Sequence, residues 1–232
     1  MPFATVDNSP IRHSKASSRY DSGGVIRKDA YDRTWVLLQW VGTGKRVLEV
    51  GCSTGYMSRH LMQRNCCVTG IEVDADAAEK ARPYCSEVLI RDLNAPDWMA
   101  GVSGKAFDVV LLGDVLEHLV DPSALLMQIG TLLDEEGSVV ISLPNVVHWI
   151  TRLRILLGQF NYMPAGTLDH THLRFFTVKT ARKLIEGSGF RIVRFRPAIG
   201  GRMSGHARPI WHCLALLLPG LFAFQLLFQA RK

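Results

Sequence analysis

Two sets of residues in this chain have types and spacings that could do chemistry. The first lies in Val47-Leu-Glu-Val-Gly-Cys-Ser-Thr-Gly55, an apolar run that breaks into a glycine-bearing loop. Gly51 and Gly55 let the backbone turn tightly and approach a ligand where a side chain would collide. The third glycine of a dinucleotide-binding loop has no counterpart here, and Glu49, just ahead of the loop, would be badly placed against a pyrophosphate. A carboxylate there suits a cationic ligand, such as the amino group of a methionine moiety. Glu72 ends the next apolar run about 20 residues on, the distance at which Rossmann-type sites set an acid on ribose hydroxyls.

The second set is the histidines. Imidazole exchanges protons near neutral pH, so His118, His148, His170 and His172 are candidate general bases for an acceptor hydroxyl. In Asp169-His-Thr-His-Leu-Arg174, an extended backbone would put Asp169, Thr171 and Leu173 on one face and His170, His172 and Arg174 on the other. Two imidazoles and a guanidinium on one face could position an anionic or hydroxylated acceptor. The same stretch admits a blander reading, in which Asp169 pairs with Arg174 and pins a loop. A metal site completed by Asp169 or His148 is also conceivable, but the spacing is not diagnostic and no metal is expected. The expectation is His172 as base, ahead of His118 and His148. His148, Asp169, His170, His172 and Arg174 would then surround the acceptor.

The elements that must hold these residues alternate. Arg46–Val50, Cys67–Glu72, Val88–Ile90, Phe107–Leu112 and Gly137–Leu143 are short apolar runs that predict strands, and Tyr56–Arg64, Ala75–Tyr84 and Pro122–Leu133 predict helices between them. Such alternation implies right-handed crossovers and a parallel sheet covered on both faces. A helix over Asp29–Val41 precedes the alternation. After Asn145 the rhythm changes: helices are predicted over His148–Phe160 and Thr177–Gly187, strands over Phe190–Phe195 and Phe222–Ala230, and an insertion over 200–220. The expected organisation is one domain, with a lead-in and helix over 1–45, a cofactor core over 46–145 and acceptor-side elements over 146–232.

With 47% hydrophobic and 21% charged residues the chain has ordinary globular composition, enough for a substantial core. The net charge of +6 comes from dispersed Lys and Arg with no basic run, which argues against nucleic acid as a partner. Five cysteines form no CxxC pair, and residues 1–19 lack an apolar stretch, so a reduced, cytoplasmic protein is expected. Ile210–Phe228 is long and apolar enough to reach across a bilayer, yet Pro219-Gly220 interrupts it. A core helix followed by an edge strand is the preferred reading, with peripheral contact to the inner face of a membrane left open. Trp149, Ile150, Leu153, Leu156 and Leu157, with Arg152 and Arg154, make a basic amphipathic helix that could join Trp211–Leu218 in an apolar mouth.

In their order, the motifs resemble those of the class I S-adenosylmethionine-dependent methyltransferases. Val47–Gly55 is similar to their first motif, with Ser53 in place of the middle glycine, and Gly70-Ile-Glu-Val-Asp74 to the second. Arg91-Asp-Leu93 resembles the segment that meets adenine, and Phe107–His118 the fourth strand and its loop. The resemblance implies a Rossmann-like α/β fold, a mostly parallel seven-stranded sheet with an antiparallel last strand. It also implies S-adenosylmethionine as cofactor and S-adenosylhomocysteine as product. By that resemblance Glu49, Gly51, Cys52, Ser53 and Gly55 hold the methionine end, Glu72 and Val73 the ribose, and Asp92 and Leu93 the adenine. Gly113, Asp114 and Val115 line the sulfonium side, and Tyr20 joins the cofactor set. Pro144–His148, Gly158–Tyr162 and Leu168–Thr177 resemble a bacterial subgroup that often accompanies glycosyltransferases, which implies a small-molecule, saccharide or glycolipid acceptor methylated at oxygen. The alternatives are a NAD-type oxidoreductase and a membrane-associated, non-catalytic relative.

Overall fold

The apolar runs form one seven-stranded sheet. A computed structural model describes residues 32–200 and 207–232. The strands are β1 (Arg46–Val50), β2 (Cys67–Glu72), β3 (Glu87–Ile90), β4 (Phe107–Gly113), β5 (Leu133–Pro144), β6 (Arg191–Ala198) and β7 (Gln225–Arg231), in the spatial order β3-β2-β1-β4-β5-β7-β6. The first five are parallel to one another, and β7 runs antiparallel to both β5 and β6. Central strands covered by helices on both faces must be apolar throughout, not alternating. Accordingly Leu48, Val50, Val110, Leu112 and Ile141 pack into one core, while Val47, Val109, Leu111 and Val140 pack into the other.

The helices are α1 (Arg33–Val41), α2 (Tyr56–Met62), α3 (Ala75–Ala81), α4 (Pro122–Leu132), α5 (Trp149–Leu156), α6 (Val178–Gly187), α7 (Arg208–Leu217) and α8 (Pro219–Phe222). Their starts are written in short polar residues that satisfy the orphan N–H groups of a first turn. Asp74 accepts from two backbone N–H groups of α3, and Asp121 from two of α4, where Pro122 holds the first position. Thr177 and Thr180 form a capping box on α6. Because the strand order reverses between β1 and β4, the loops after them diverge at the carboxyl edge of the sheet and open a crevice.

Several expectations need correcting. The last strand is not an edge strand: β7 lies between β5 and β6, and Gln225 to Ala230 are all buried. The length of Ile210–Phe228 therefore joins two environments. α7 buries only His212 and Ala215, so it is a surface helix, not a core one. Among the described residues no helix is long and apolar enough to cross a membrane. α5 stops at Leu156, before the left-handed Gly158, and so falls short of Phe160. α3 ends at Ala81 and tightens into a 3₁₀ turn over Arg82–Tyr84, where Pro83 removes a helical donor. α2 ends at Met62, short of Arg64. β5 starts four residues earlier than its apolar run, at Leu133, and α1 starts at Arg33 behind the cap Asp32.

Candidate active site

The crevice is built first from the loop after β1. The backbone adopts the left-handed region at Gly51 (φ +70°), Ser53 (φ +48°) and Gly55 (φ +81°). A Cβ on Gly51 would come within 2.8 Å of the Val115 side chain, and one on Gly55 within 2.9 Å of the Ala81 backbone. The loops after β1 and β4 thus approach one another through a glycine that nothing larger replaces. Glu72, at the end of β2, fixes the loop. One carboxylate oxygen accepts the Ser53 N–H at 2.8 Å, and the other accepts those of Val73 and Asp74 at 2.9 and 3.0 Å. A carboxylate has about four acceptor positions, so Glu72 keeps capacity for a ribose hydroxyl.

Glu49 is buried and accepts the Ser58 hydroxyl at 2.5 Å. Burial pushes its carboxyl up to about 8, with Cys85 and Glu72 adding to the rise and Ser58 opposing it. A buried acid held neutral in this way ionises when a cation arrives, which fits an incoming amino group. At Gly113 a Cβ would meet nothing within 4 Å, so the sheet edge beside β4 opens onto space. Glycine cradle, ribose acid, buried acid and open edge together fit S-adenosylmethionine. The other predicted cofactor residues differ in engagement. Asp92 is exposed and accepts the Asn94 backbone N–H at 2.9 Å and its side-chain amide at 3.2 Å, capping a turn. Val73 is exposed, while Cys52 and Val115 are buried and Leu93 packs on the core. Tyr20 lies outside the described residues.

Asp114, expected on the sulfonium side, is held by neighbours from three elements. Its carboxylate meets the Arg33 guanidinium, accepts the Ser142 hydroxyl at 2.6 Å and accepts the Gln225 amide at 3.0 and 3.1 Å. Burial would raise its pKa, but the Arg33 charge and these bonds outweigh burial and hold it below the usual range. Asp114 ties α1, β5 and β7 together.

The histidines separate into two groups. His118, in a 3₁₀ turn over Leu116–His118, meets His172 with ring centroids 4.8 Å apart, edge to face. His172 comes from the loop between α5 and α6, which is tied to that turn: the Leu173 and Arg174 N–H groups donate to the Glu117 carbonyl at 2.8 and 3.0 Å. Burial and the neighbouring His118 lower the pKa of His172, favouring neutral imidazole. His148 stands at the N-cap position of α5 and packs its ring edge-to-face on Phe224; burial lowers its pKa too.

The expected alternation over Asp169–Arg174 does not occur. Asp169 accepts the Thr171 N–H at 2.9 Å and its hydroxyl at 2.7 Å, so the segment folds as an Asx turn, not an extended strand. His172 is consequently buried, whereas His170 and Arg174 are exposed, with Arg174 donating to the Val120 carbonyl at 2.6 Å. The residue missed in the sequence is Glu117. It is fully buried, and neither carboxylate oxygen has a hydrogen-bond partner among the described residues. Burial first, and the charge of Asp114 next, push its carboxyl well above the usual range. The signal available was a lone acid inside Val115–Leu119, an otherwise apolar run up to His118.

The two helices expected to line an apolar mouth do touch one another. Trp149 of α5 and Trp211 of α7 stack at 6.0 Å, with planes 14° apart, and Ile150, Leu153, Leu156, Ile210 and Leu217 are exposed around them. Arg152 donates to the Val147 and Gly220 carbonyls, holding α5 against α8.

Comparison with known proteins now bears on the crevice. Residues 26–194 match the family described as a methyltransferase domain. A ubiquinone biosynthesis O-methyltransferase of Aeromonas salmonicida is 29% identical over 155 residues, 64% of each chain. One of Stutzerimonas stutzeri is 33% identical over 132 residues, 54% of this chain and 56% of its own. The match to these relatives thus spans less than two thirds of their length. Among solved structures, an S-adenosylmethionine-dependent methyltransferase from Mesorhizobium loti superposes with a TM-score of 0.59 at 18% identity, covering 86% of this chain and 95% of that one. Magnesium protoporphyrin IX methyltransferase from Synechocystis, with bound S-adenosylhomocysteine, gives 0.57 at 20% identity, covering 85% and 79%. A nicotinamide oxidoreductase, the alternative open in the sequence, is not the family matched. The chain belongs to the methyltransferase-domain family and has the fold of the class I S-adenosylmethionine-dependent methyltransferases.

Proposed function

We propose that the protein transfers the methyl group of S-adenosylmethionine to a hydroxyl oxygen of a small molecule with an apolar part. The observation that carries this reading is that β4 ends in Gly113, where a Cβ would meet nothing within 4 Å, and the turn that follows it carries His118, paired with His172. When bound, the cofactor supplies an activated methyl group on a neutral leaving group, so positioning two reactants can account for much of the acceleration. Glu49 and the loop from Gly51 to Gly55 orient its methionine end, and Glu72 its ribose. The exposed apolar residues of α5 and α7 suit the body of an amphiphilic acceptor, and a lipid-linked saccharide or other glycolipid is the narrower case. Such a mouth would also rest against a membrane surface. The relatives named as O-methyltransferases support oxygen as the atom methylated.

The acceptor proton must leave as the carbon–oxygen bond forms. His172 directs Nδ1 at the Thr167 carbonyl, 3.2 Å away, which can only accept. The proton of the neutral ring therefore sits on Nδ1, and the lone pair on Nε2 is available as base. His172→Ala should leave S-adenosylhomocysteine affinity unchanged and lower kcat by about 10²–10⁴-fold, the usual span for a positioned base. Calorimetry and single-turnover methyl transfer to a catechol-type hydroxyl probe check the two halves. Undiminished turnover in that variant would sink the assignment of the base, and absence of turnover in the wild type with intact cofactor binding would favour a non-catalytic relative.

A further inference from the structure

The side chains around His172 make an arrangement the methyl-transfer chemistry does not by itself require. His118 Nδ1 lies 3.2 Å from both the carbonyl and the hydroxyl oxygen of Thr171. The single proton of that hydroxyl is committed to Asp169, at 2.7 Å, so toward His118 both Thr171 oxygens are acceptors. His118, like His172, must carry its proton on Nδ1 and keep a lone pair on Nε2. Glu117 adds two carboxyl oxygens, fully buried and without a partner among the described residues. One potential ligand atom from each of Glu117, His118 and His172 lies within 4.8 Å of the others. Atoms able to ligate a cation are therefore clustered at two buried residues and one half-buried one.

We infer that Glu117, His118 and His172 form a binding site for one divalent transition-metal ion of the zinc class, with an open position facing the acceptor. Three features support it independently. Two imidazoles and one carboxylate are a donor set found at catalytic zinc, which keeps a fourth position for substrate. Each imidazole donates its other N–H to a backbone carbonyl, the outer contact that orients metal-bound histidine and fixes its tautomer. Finally, an unpaired buried carboxyl is costly unless a cation accompanies it, and Glu117 is fully buried with neither oxygen partnered among the described residues. The ligand atoms need to close by on the order of 1 Å to share an ion with bonds of about 2.0–2.1 Å. Asp114 stands outside the set, since Arg33, Ser142 and Gln225 hold its carboxylate.

The role of the ion rests on the methyl-transfer reading, whereas its binding does not. An acceptor hydroxyl bound to the open position loses its proton to bulk water and remains on the metal as an oxyanion. That oxygen then bonds to the methyl carbon as the carbon–sulfur bond breaks and its electron pair passes to sulfur, leaving neutral S-adenosylhomocysteine. The metal occupies the Nε2 lone pair of His172, so it replaces that nitrogen as the activator of the hydroxyl.

The test uses the full chain, stripped with a chelator and titrated with Co²⁺ as a spectroscopic substitute and with Zn²⁺ by calorimetry. The site predicts one ion per chain, visible d–d bands from cobalt with imidazole ligands, and a rise in Tm with metal. Glu117→Gln, which preserves shape and relieves the buried acid, should fold and lose at least about 100-fold in metal affinity, more than the 10–100-fold of an outer contact. S-adenosylhomocysteine is titrated into the same samples. Binding of S-adenosylhomocysteine without any saturable metal signal overturns the metal site and leaves the methyl-transfer reading standing. Metal binding without S-adenosylhomocysteine binding does the reverse. Equal metal affinity in Glu117→Gln and wild type also overturns the site.

Discussion

The two sides of the crevice treat their acids in opposite ways. On the cofactor side Glu72 accepts three backbone N–H groups and Glu49 accepts a serine hydroxyl, so the cradle is held by the protein's own donors. On the side proposed for the acceptor Glu117 is fully buried and its carboxylate has no partner among the described residues, beside the half-buried His118 and the buried His172. A region whose polar groups are already paired keeps its shape whether or not a ligand is bound. One that leaves a buried acid unpaired gains stability from what binds there. On the function proposed above, the difference would make the cradle a preformed seat for the cofactor and the histidine side the place where binding and chemistry are coupled.

The largest expected break of this contrast is Gly51→Val. A β-branched residue at φ +70°, with its Cβ 2.8 Å from Val115, cannot be accommodated without moving the loop. Calorimetric binding of S-adenosylhomocysteine should fall below detection while the far-ultraviolet circular dichroism stays unchanged. Asp114→Ala comes next. It strips Arg33 and Gln225 of their shared carboxylate and should cost about 1–3 kcal/mol in urea unfolding, less than a fully buried pair because Arg33 is partly exposed.

Glu49→Gln sharpens the comparison through pH. The carboxyl of Glu49 is raised from 4.5 to about 8 in the fold, so the native protein holds a proton there that the unfolded chain releases. The stability contributed by this group is complete below pH 4.5 and is lost as pH climbs through 8. The Gln variant should therefore flatten the fall in stability across that window, as measured by Tm in a series of buffers. The smallest effect is expected at the mouth. Leu156 is 82% exposed, so Leu156→Ser should change folding stability by less than about 0.5 kcal/mol. It should weaken co-sedimentation with anionic vesicles if the mouth rests on lipid, and unaltered co-sedimentation removes Leu156 from that contact.

Much of the cofactor half was legible because its signals are local. An apolar run ending in glycine, then an acid at the next strand end, specifies a strand–loop–helix without reference to anything distant, and Gly51 and Gly55 lie in that loop with Glu72 closing β2. The acceptor half depends on long-range pairing. Nothing within Gln225–Arg231 states that it inserts between β5 and β6, because its partners lie far away in the chain. The Asp169–Arg174 stretch reads as alternation until Asp169 takes the Thr171 N–H, a side-chain bond that bends the backbone and sends His170 and His172 different ways. Glu117 escaped notice for a similar reason. Its burial and lack of a partner come from the loop that closes over it, and no spacing in the sequence encodes that closure.

Crystals of the full chain grown with S-adenosylhomocysteine test the central claim most directly. The account predicts the amino-acid end of the ligand over Gly51 near Glu49, its ribose hydroxyls on Glu72, and its sulfur facing Gly113 on the side of His118 and His172. Density for the ligand elsewhere, or a ribose that makes no contact with Glu72, would contradict it.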